Sequence, residues 1–328
     1  MSADLSVVVA GLELANPVIA GSGESSASIE DIRACLDAGA AAVVAKSVNE
    51  SLAARAQLRA AEYVVLDRQL QARPLGPMSR GDSLFCRSGL LDVRLDEWIE
   101  TLARLDRDAS KRDAYVVPSL IVADPDDAAR HARAFEEAGV RWLELNVGAP
   151  HAEEATPGAL RTGVELVAPI RAAVSIPLTV KLSVRESVAD ALAAGADALC
   201  LTTRAMGFVP DLATRRPVLG TFAAIGGAWA LPLSLREVAK AHLAHPEASI
   251  IGTNGAWDGH DVARFLLAGA SAVAMTSAVI TGGHAVLRRT LDELALYCVE
   301  QGVSARDLVG EAARHVQLYE EVAIDRGL

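Results

Sequence analysis

Short apolar runs, each halted by glycine or a polar cluster, recur along the chain and are separated by stretches of helical periodicity. Residues 17–20, 41–47, 115–121, 142–147, 176–182, 197–203, 249–253 and 272–276 read as strands. Their near-continuous hydrophobicity is what a parallel strand buried on both faces requires. Between them the spacing predicts helices, the first with Ser28 as N-cap, Asp31 three residues on and Gly39 at its end. Others are expected over 96–105, 124–138, 157–173, 187–194 and 258–268, with one from Ser234 and a helical tail over 287–328. Eight strands alternating with helices predict an α/β chain, a (β/α)8 TIM barrel in preference to an open doubly wound sheet. Residues 7–14 read as a hairpin-like entry before the barrel.

The rhythm breaks twice. Residues 48–95 read as a long, lid-like loop after the second strand, because 73–82 is rich in Pro and Gly. Residues 206–231 read as irregular. No internal repeat of 20–50 residues stands out, and the chain is expected to form one domain, 1–328.

Composition narrows the class. Half the residues are hydrophobic and only 4% aromatic, which suits helices on a parallel sheet better than a β-sandwich. A net charge of −11 argues against a nucleic-acid or anionic-membrane surface. Cys35, Cys86, Cys200 and Cys298 lie far apart without CxxC or CxxH spacing, so neither a metal site nor a disulfide framework is expected. A cytoplasmic setting is expected, since the first residues lack a basic, apolar leader and no run is long enough to span a membrane.

In such barrels chemistry sits at the carboxyl ends of the strands. There the sequence places Ser22, Lys46, Ser47, Asn146, His151, Lys181, Thr202, Thr203, Arg204, Thr276 and Ser277. Two lysines ending apolar strands are the sharpest signal, because burying an ammonium is costly unless an anion or acceptor meets it. One lysine alone would snorkel to solvent; two with Asn146 on one face point to a site. Gly252-Thr253-Asn254-Gly255 and Thr276-Ser277 come after strands seven and eight, where barrel enzymes bind phosphate, and Gly226-Gly227 could serve the same anion. The G-x-G-x-x-G fingerprint of a Rossmann dinucleotide site is absent.

With these residues in hand, the chain resembles the FMN-dependent dihydroorotate and dihydropyrimidine dehydrogenase superfamily. The matching stretches are 16–23, Val43-Val44-Ala45-Lys46-Ser47, Glu144-Leu145-Asn146, 178–182, 198–202, Ile225-Gly226-Gly227 and 251–259. Residues 89–98 look more like the dihydropyrimidine branch. The resemblance implies FMN across the barrel mouth. Ala20, Gly21 and Ser22 would touch the ring, Lys46, Ser47, Asn146, Lys181 and Thr202 its polar edge, and Gly226, Gly227, Gly252, Asn254, Gly255, Thr276 and Ser277 the phosphate. Lys46, Asn146, His151, Thr202 and Thr203 would meet a small-molecule substrate.

Two departures stand out. The Asn-rich substrate loop of the orotate-forming enzymes is missing between 48 and 95. Their catalytic Cys or Ser is replaced by Ala149 in Asn146-Val147-Gly148-Ala149-Pro150-His151, and alanine cannot transfer a proton. His151, Glu153, Glu154 and Cys86 are the candidates to replace it, with Arg80, Arg87 and Arg204 as candidate clamps for an acidic substrate. The expected activity is an FMN oxidoreductase acting on a C=C or C–C bond, but not dihydroorotate oxidation. An FMN enzyme of altered or non-redox chemistry and a non-catalytic flavin-binding subunit stay open as alternatives. A homodimer is expected, and any iron–sulfur or NAD partner would be a separate electron-transfer chain.

Overall fold

The computed structural model describes residues 3–48, 61–121, 124–147 and 163–317. Eight parallel strand positions close into a (β/α)8 barrel. In chain order these are Val18–Ala20, Ala42–Val44, a split third strand, Leu143–Asn146, Leu178–Leu182, Ala198–Leu201, Ser249–Thr253 and Ala272–Met275. The eighth strand pairs with the first, so no barrel edge is left open.

The third strand divides at Pro118. Tyr115–Val117 pairs with the second strand and Ser119–Leu120 with the fourth. Proline has no N–H for the ladder, so one strand cannot run through it. Its carbonyl still accepts from Glu144 N at 2.9 Å, which carries the ring across the break.

The helices match the expected signals. Ser28 caps Ile29–Asp37, accepting from Asp31 N at 3.0 Å, and Asp258 caps Gly259–Leu267. The helix Leu95–Ser110 runs longer than expected, while 163–173 is a short 3-10 turn and then Val167–Ala173. After strand six the helix begins at Leu231, three residues ahead of Ser234. Of the expected helical tail, the described residues are helical over Ala285–Gln301, while 302–317 form turns and one 3-10 turn, Ala313–His315; residues 318–328 lie outside the described residues. Val7–Val9 and Leu12–Leu14 form the expected hairpin, whose turn residues Ala10 and Gly11 both have positive φ.

The larger correction concerns the two stretches read as loop and irregular chain. Glu62–Leu66, Ala72–Pro74 and Ser83–Arg87 are strands, and they join Ala205–Gly207 and Ala223–Gly226 in one antiparallel five-stranded sheet. This sheet roofs the carboxyl end of the barrel. Because side chains alternate faces along a strand, Phe85 and Leu66 pack in a small second core with Val209, Leu219 and Ala223. Cys86 and Tyr63, directly opposite each other in the ladder, take the other face. Arg80 pins the roof to the barrel, pairing with Asp258 and Asp261 at 2.7 and 2.8 Å.

Candidate functional site

At the mouth, the first strand ends against the eighth. Gly21 N donates to Met275 O at 2.9 Å, and a Cβ on Gly21 would lie 2.3 Å from Thr276 Oγ1. Ala20 is fully buried at that strand's last position. Only glycine lets the two ends approach this closely. Thr276 precedes the short helix Ser277–Gly282, which Ser277 begins.

Lys46, at the end of strand two, is buried and donates to Glu24 Oε1 at 2.6 Å. Burial pulls its ammonium below the usual lysine range, and the adjacent Glu24 carboxylate opposes that shift. Ser47, next along, belongs to a chain of hydroxyls that descends into the barrel. Ser22 Oγ meets Ser47 Oγ at 3.1 Å, Ser47 Oγ meets Ser119 Oγ at 2.8 Å, and Ser119 donates to buried Glu144 at 2.8 Å.

Asn146 and Lys181 are register partners on strands four and five. Asn146 Oδ1 is buried without a hydrogen-bond partner among the described residues. Thr202 comes directly after strand six and lies 3.4 Å from Ser234 Oγ, which donates to Asn254 O at 2.6 Å. Thr203 N donates to Leu182 O.

The loops at Gly226 and Asn254 come together. Gly226 ends a roof strand, and a Cβ there would sit 3.0 Å from Asn254 Oδ1. That oxygen, too, is buried and unpartnered among the described residues. Gly227 lies against Asp82 O, Gly252 against the Phe265 ring, and Gly255 against the backbone of Leu231. The Gly252–Gly255 loop therefore reaches the N-terminal end of the helix Leu231–Ala244. Asn146 Oδ1 at the end of strand four and Asn254 Oδ1 against Gly226 are acceptors that need donors, which the ring N–H and side-chain hydroxyls of a cofactor such as FMN would supply, while the glycines leave room for its phosphate.

Cys86 departs from the expectation. It lies in a strand and not on an open loop, is fully buried, and accepts from Arg204 Nη1 at 2.6 Å. Burial pushes its thiol up although the guanidinium opposes that shift, which favours an inert thiol over an activated one. His151, Glu153, Glu154 and Ala149 lie outside the described residues. Glu24, Tyr63, Ser119 and Glu144 were not among the sequence candidates. Glu144 alone carried a signal, as an acid within the apolar run 142–147.

Two other buried thiols give the protein an alkaline limit. Burial pushes Cys35 and Cys200 up to about 12 from an ordinary 9.0. A raised folded value stabilises below the unfolded value and loses that contribution as pH rises through the window between them. From about pH 8 to about pH 10.5 each thiol should remove about 2 kcal/mol of stability. Denaturant melts at both pH values check this, and Cys200→Ala should show a correspondingly smaller alkaline loss.

Comparison with known proteins now adds the family. The family model "Dihydroorotate dehydrogenase" matches residues 78–297. The chain belongs to the dihydroorotate dehydrogenase family. It is 28% identical to a protein of Thermoplasma acidophilum named dihydroorotate dehydrogenase B (NAD(+)), catalytic subunit, covering 95% of this chain and all of that one (100%). A protein of the same name in Desulforudis audaxviator is 30% identical, over 96% of this chain and 99% of its own. Another in Methanopyrus kandleri is 34% identical, over 83% and 84%. Among the described residues no helix is long and apolar enough to cross a membrane, and no group of three or more His, Cys, Asp or Glu could hold a metal.

Proposed function

We propose that the chain holds FMN at the barrel mouth and acts as an oxidoreductase on a carbon–carbon bond of a small, anionic cyclic substrate other than dihydroorotate. The observation that carries the reading is two buried amide oxygens without a partner among the described residues, Asn146 Oδ1 at the end of strand four and Asn254 Oδ1 against Gly226. FMN, when bound, supplies the ring that accepts or donates hydride. Lys46 and Lys181 would face its polar edge, and the loop at Gly252–Gly255 with Gly226, Gly227, Thr276 and Ser277 would hold its phosphate. Ala20, Gly21, Ser22, Ser47 and Thr202 would line the ring, with Asn146, His151 and Thr203 toward the substrate.

Ala149 is why dihydroorotate is set aside, since the family's proton-transferring side chain is lacking at that position. We assign proton transfer to His151, the nearest imidazole in the sequence to Asn146. Cys86 is withdrawn from that role because its thiol is covered and burial raises it. A cytoplasmic homodimer served by a separate electron-transfer chain fits the scattered, free cysteines and the relatives' description as catalytic subunits.

Purified protein is expected to be yellow and to release one FMN per chain on denaturation, while leaving dihydroorotate unoxidised. A colourless preparation that takes up no FMN ends this reading. Turnover of dihydroorotate would show that Ala149 is no obstacle. Once a substrate is in hand, full turnover by His151→Ala would remove that residue from its role.

A further inference from the structure

Beneath the mouth, the barrel core holds polar side chains that packing does not call for. Ser47 follows strand two, Ser119 opens the second half of strand three, and Glu144 lies on strand four. All three are buried in a core otherwise built mainly from Val, Leu, Ile and Ala. With Ser22, after strand one, they form a single file of hydrogen bonds. A buried carboxylate is costly to desolvate, and apolar replacements of similar volume are often neutral or stabilising, so stability does not explain the file.

The file has a direction. A hydroxyl carries one proton and two acceptor sites, and a carboxylate has no proton to give. Ser119 gives its proton to Glu144 Oε1 at 2.8 Å. In its 2.8 Å contact with Ser47 it can therefore only accept, so Ser47 donates. Ser47 then has no proton for Ser22, and across their 3.1 Å contact Ser22 donates. Each hydroxyl has only that one proton, whatever other groups touch its oxygen. Ser22 Oγ also accepts from Ser47 N at 3.1 Å, which leaves it one further acceptor site. Ser22 is the half-buried member of the file, between Gly21 and Gly23, both of which press against Thr276 at the mouth. What Ser22 offers the mouth is thus a lone pair and not a proton.

We propose that Glu144 is a positioning residue for the flavin site: through Ser119 and Ser47 it fixes the Ser22 hydroxyl as a hydrogen-bond acceptor toward the bound ring. This rests on the proposed flavin reading and deepens it, because a fixed acceptor favours one redox state. Reduction adds N–H to ring nitrogens that are bare in oxidised flavin. A fixed acceptor therefore binds the reduced ring more tightly and raises its potential. A hydroxyl free to turn gives no such bias, since it donates to a bare nitrogen as readily as it accepts from N–H.

Two measurements test this, one of them independent of the cofactor. Neutron diffraction from deuterated crystals of the protein as purified locates the hydroxyl deuterons. They should lie on Ser22 toward Ser47, on Ser47 toward Ser119 and on Ser119 toward Glu144; the opposite order overturns the proposal whether or not FMN is bound. On the FMN-loaded protein, the midpoint potential is then titrated against a reference dye. Ser119→Ala, two hydroxyls from the mouth, frees the Ser47 proton to turn to Ser22. It should lower the affinity for reduced relative to oxidised flavin about tenfold, which is roughly 30 mV for a two-electron couple. Ser22→Ala removes the acceptor and should shift the potential the same way, while Glu144→Gln, whose amide can also donate, should shift it less. Thr179→Val is the control. It breaks the buried bond from Trp142 Nε1, opposite Glu144 in the ladder, and should lower stability with the potential unchanged. Unmoved potentials in Ser119→Ala and Ser22→Ala, or an equal shift in Thr179→Val, overturn the proposal. Should Ser119→Ala fail to fold, unmoved potentials in Glu144→Gln and Ser22→Ala together overturn it. A protein that takes up no FMN removes the flavin reading and this role with it, while the deuteron order is judged by itself.

Discussion

Alanine at Gly255 is expected to lower stability by about 3 kcal/mol or more and to strip the protein of FMN. Two costs coincide at this residue. Its φ of +125° is a conformation an L side chain rarely adopts, and an added Cβ would lie 2.5 Å from Leu231 Cα and 2.6 Å from Leu231 N. Those are backbone atoms at the start of the helix Leu231–Ala244, so the overlap cannot be relieved by turning a side chain. Relief requires the loop and the helix to separate, which opens the cradle for the phosphate. Gly11→Ala is the control. Its φ is +77°, but nothing lies within 4 Å of the added carbon, so only the backbone term of roughly 1–2 kcal/mol should appear, with FMN retained. Denaturant titration and the flavin content of the purified variants check both. Equal losses in the two would show that the contact with Leu231 carries no weight.

The second large effect is expected at Lys46. Lys46→Met should reduce turnover about 100-fold, the scale on which a preorganised charge at a reacting centre acts. Stability should fall by less than for a fully buried pair, about 2 kcal/mol, because the Glu24 side chain keeps 32% of its surface. Adding Glu24→Gln should restore most of the stability and none of the turnover, which separates the two roles. Glu24→Gln alone gives the pH signature. Burial already lowers the Lys46 value and Glu24 opposes it, so without the carboxylate the value falls further. A lysine is charged below its pKa and loses the proton as pH rises through it. The alkaline limb of activity should therefore move to lower pH in Glu24→Gln. An unmoved limb would mean that Lys46 does not carry the charge that the rate depends on.

Much of the barrel was legible because its strands are buried on both faces and read as unbroken apolar runs. Their polar ends named the mouth, since a lysine or asparagine closing such a run has no role in a core. The roof was not legible. Glu62, Arg73 and Arg87 interrupt its strands, and its partners lie far apart in sequence, so neither alternation nor proximity marks 62–87 and 205–226 as one sheet. Turn-forming residues at 73–82 reinforced the reading as loop. The same limit hid Glu24 and Tyr63, which join the site only through contacts across strand ends. Cys86 shows it most plainly. Beside Arg87 in the chain it looks like an exposed, activated thiol, yet the arginine that touches it is Arg204, 118 residues away.

The roof also has a consequence for the order in which the protein assembles. Ser83–Arg87 pairs with Ala223–Gly226, and the segment between them supplies half the barrel. During synthesis, Leu84 and Phe85 must therefore wait with one ladder edge unpaired until strands three to six have been made. Such a non-local closure is slow, and an unpaired apolar edge is prone to stick to other chains. The site is thus a late product of folding, and its cofactor has no complete berth on a nascent chain. Yield should consequently depend on chaperones and temperature more than the stability of the finished barrel would suggest.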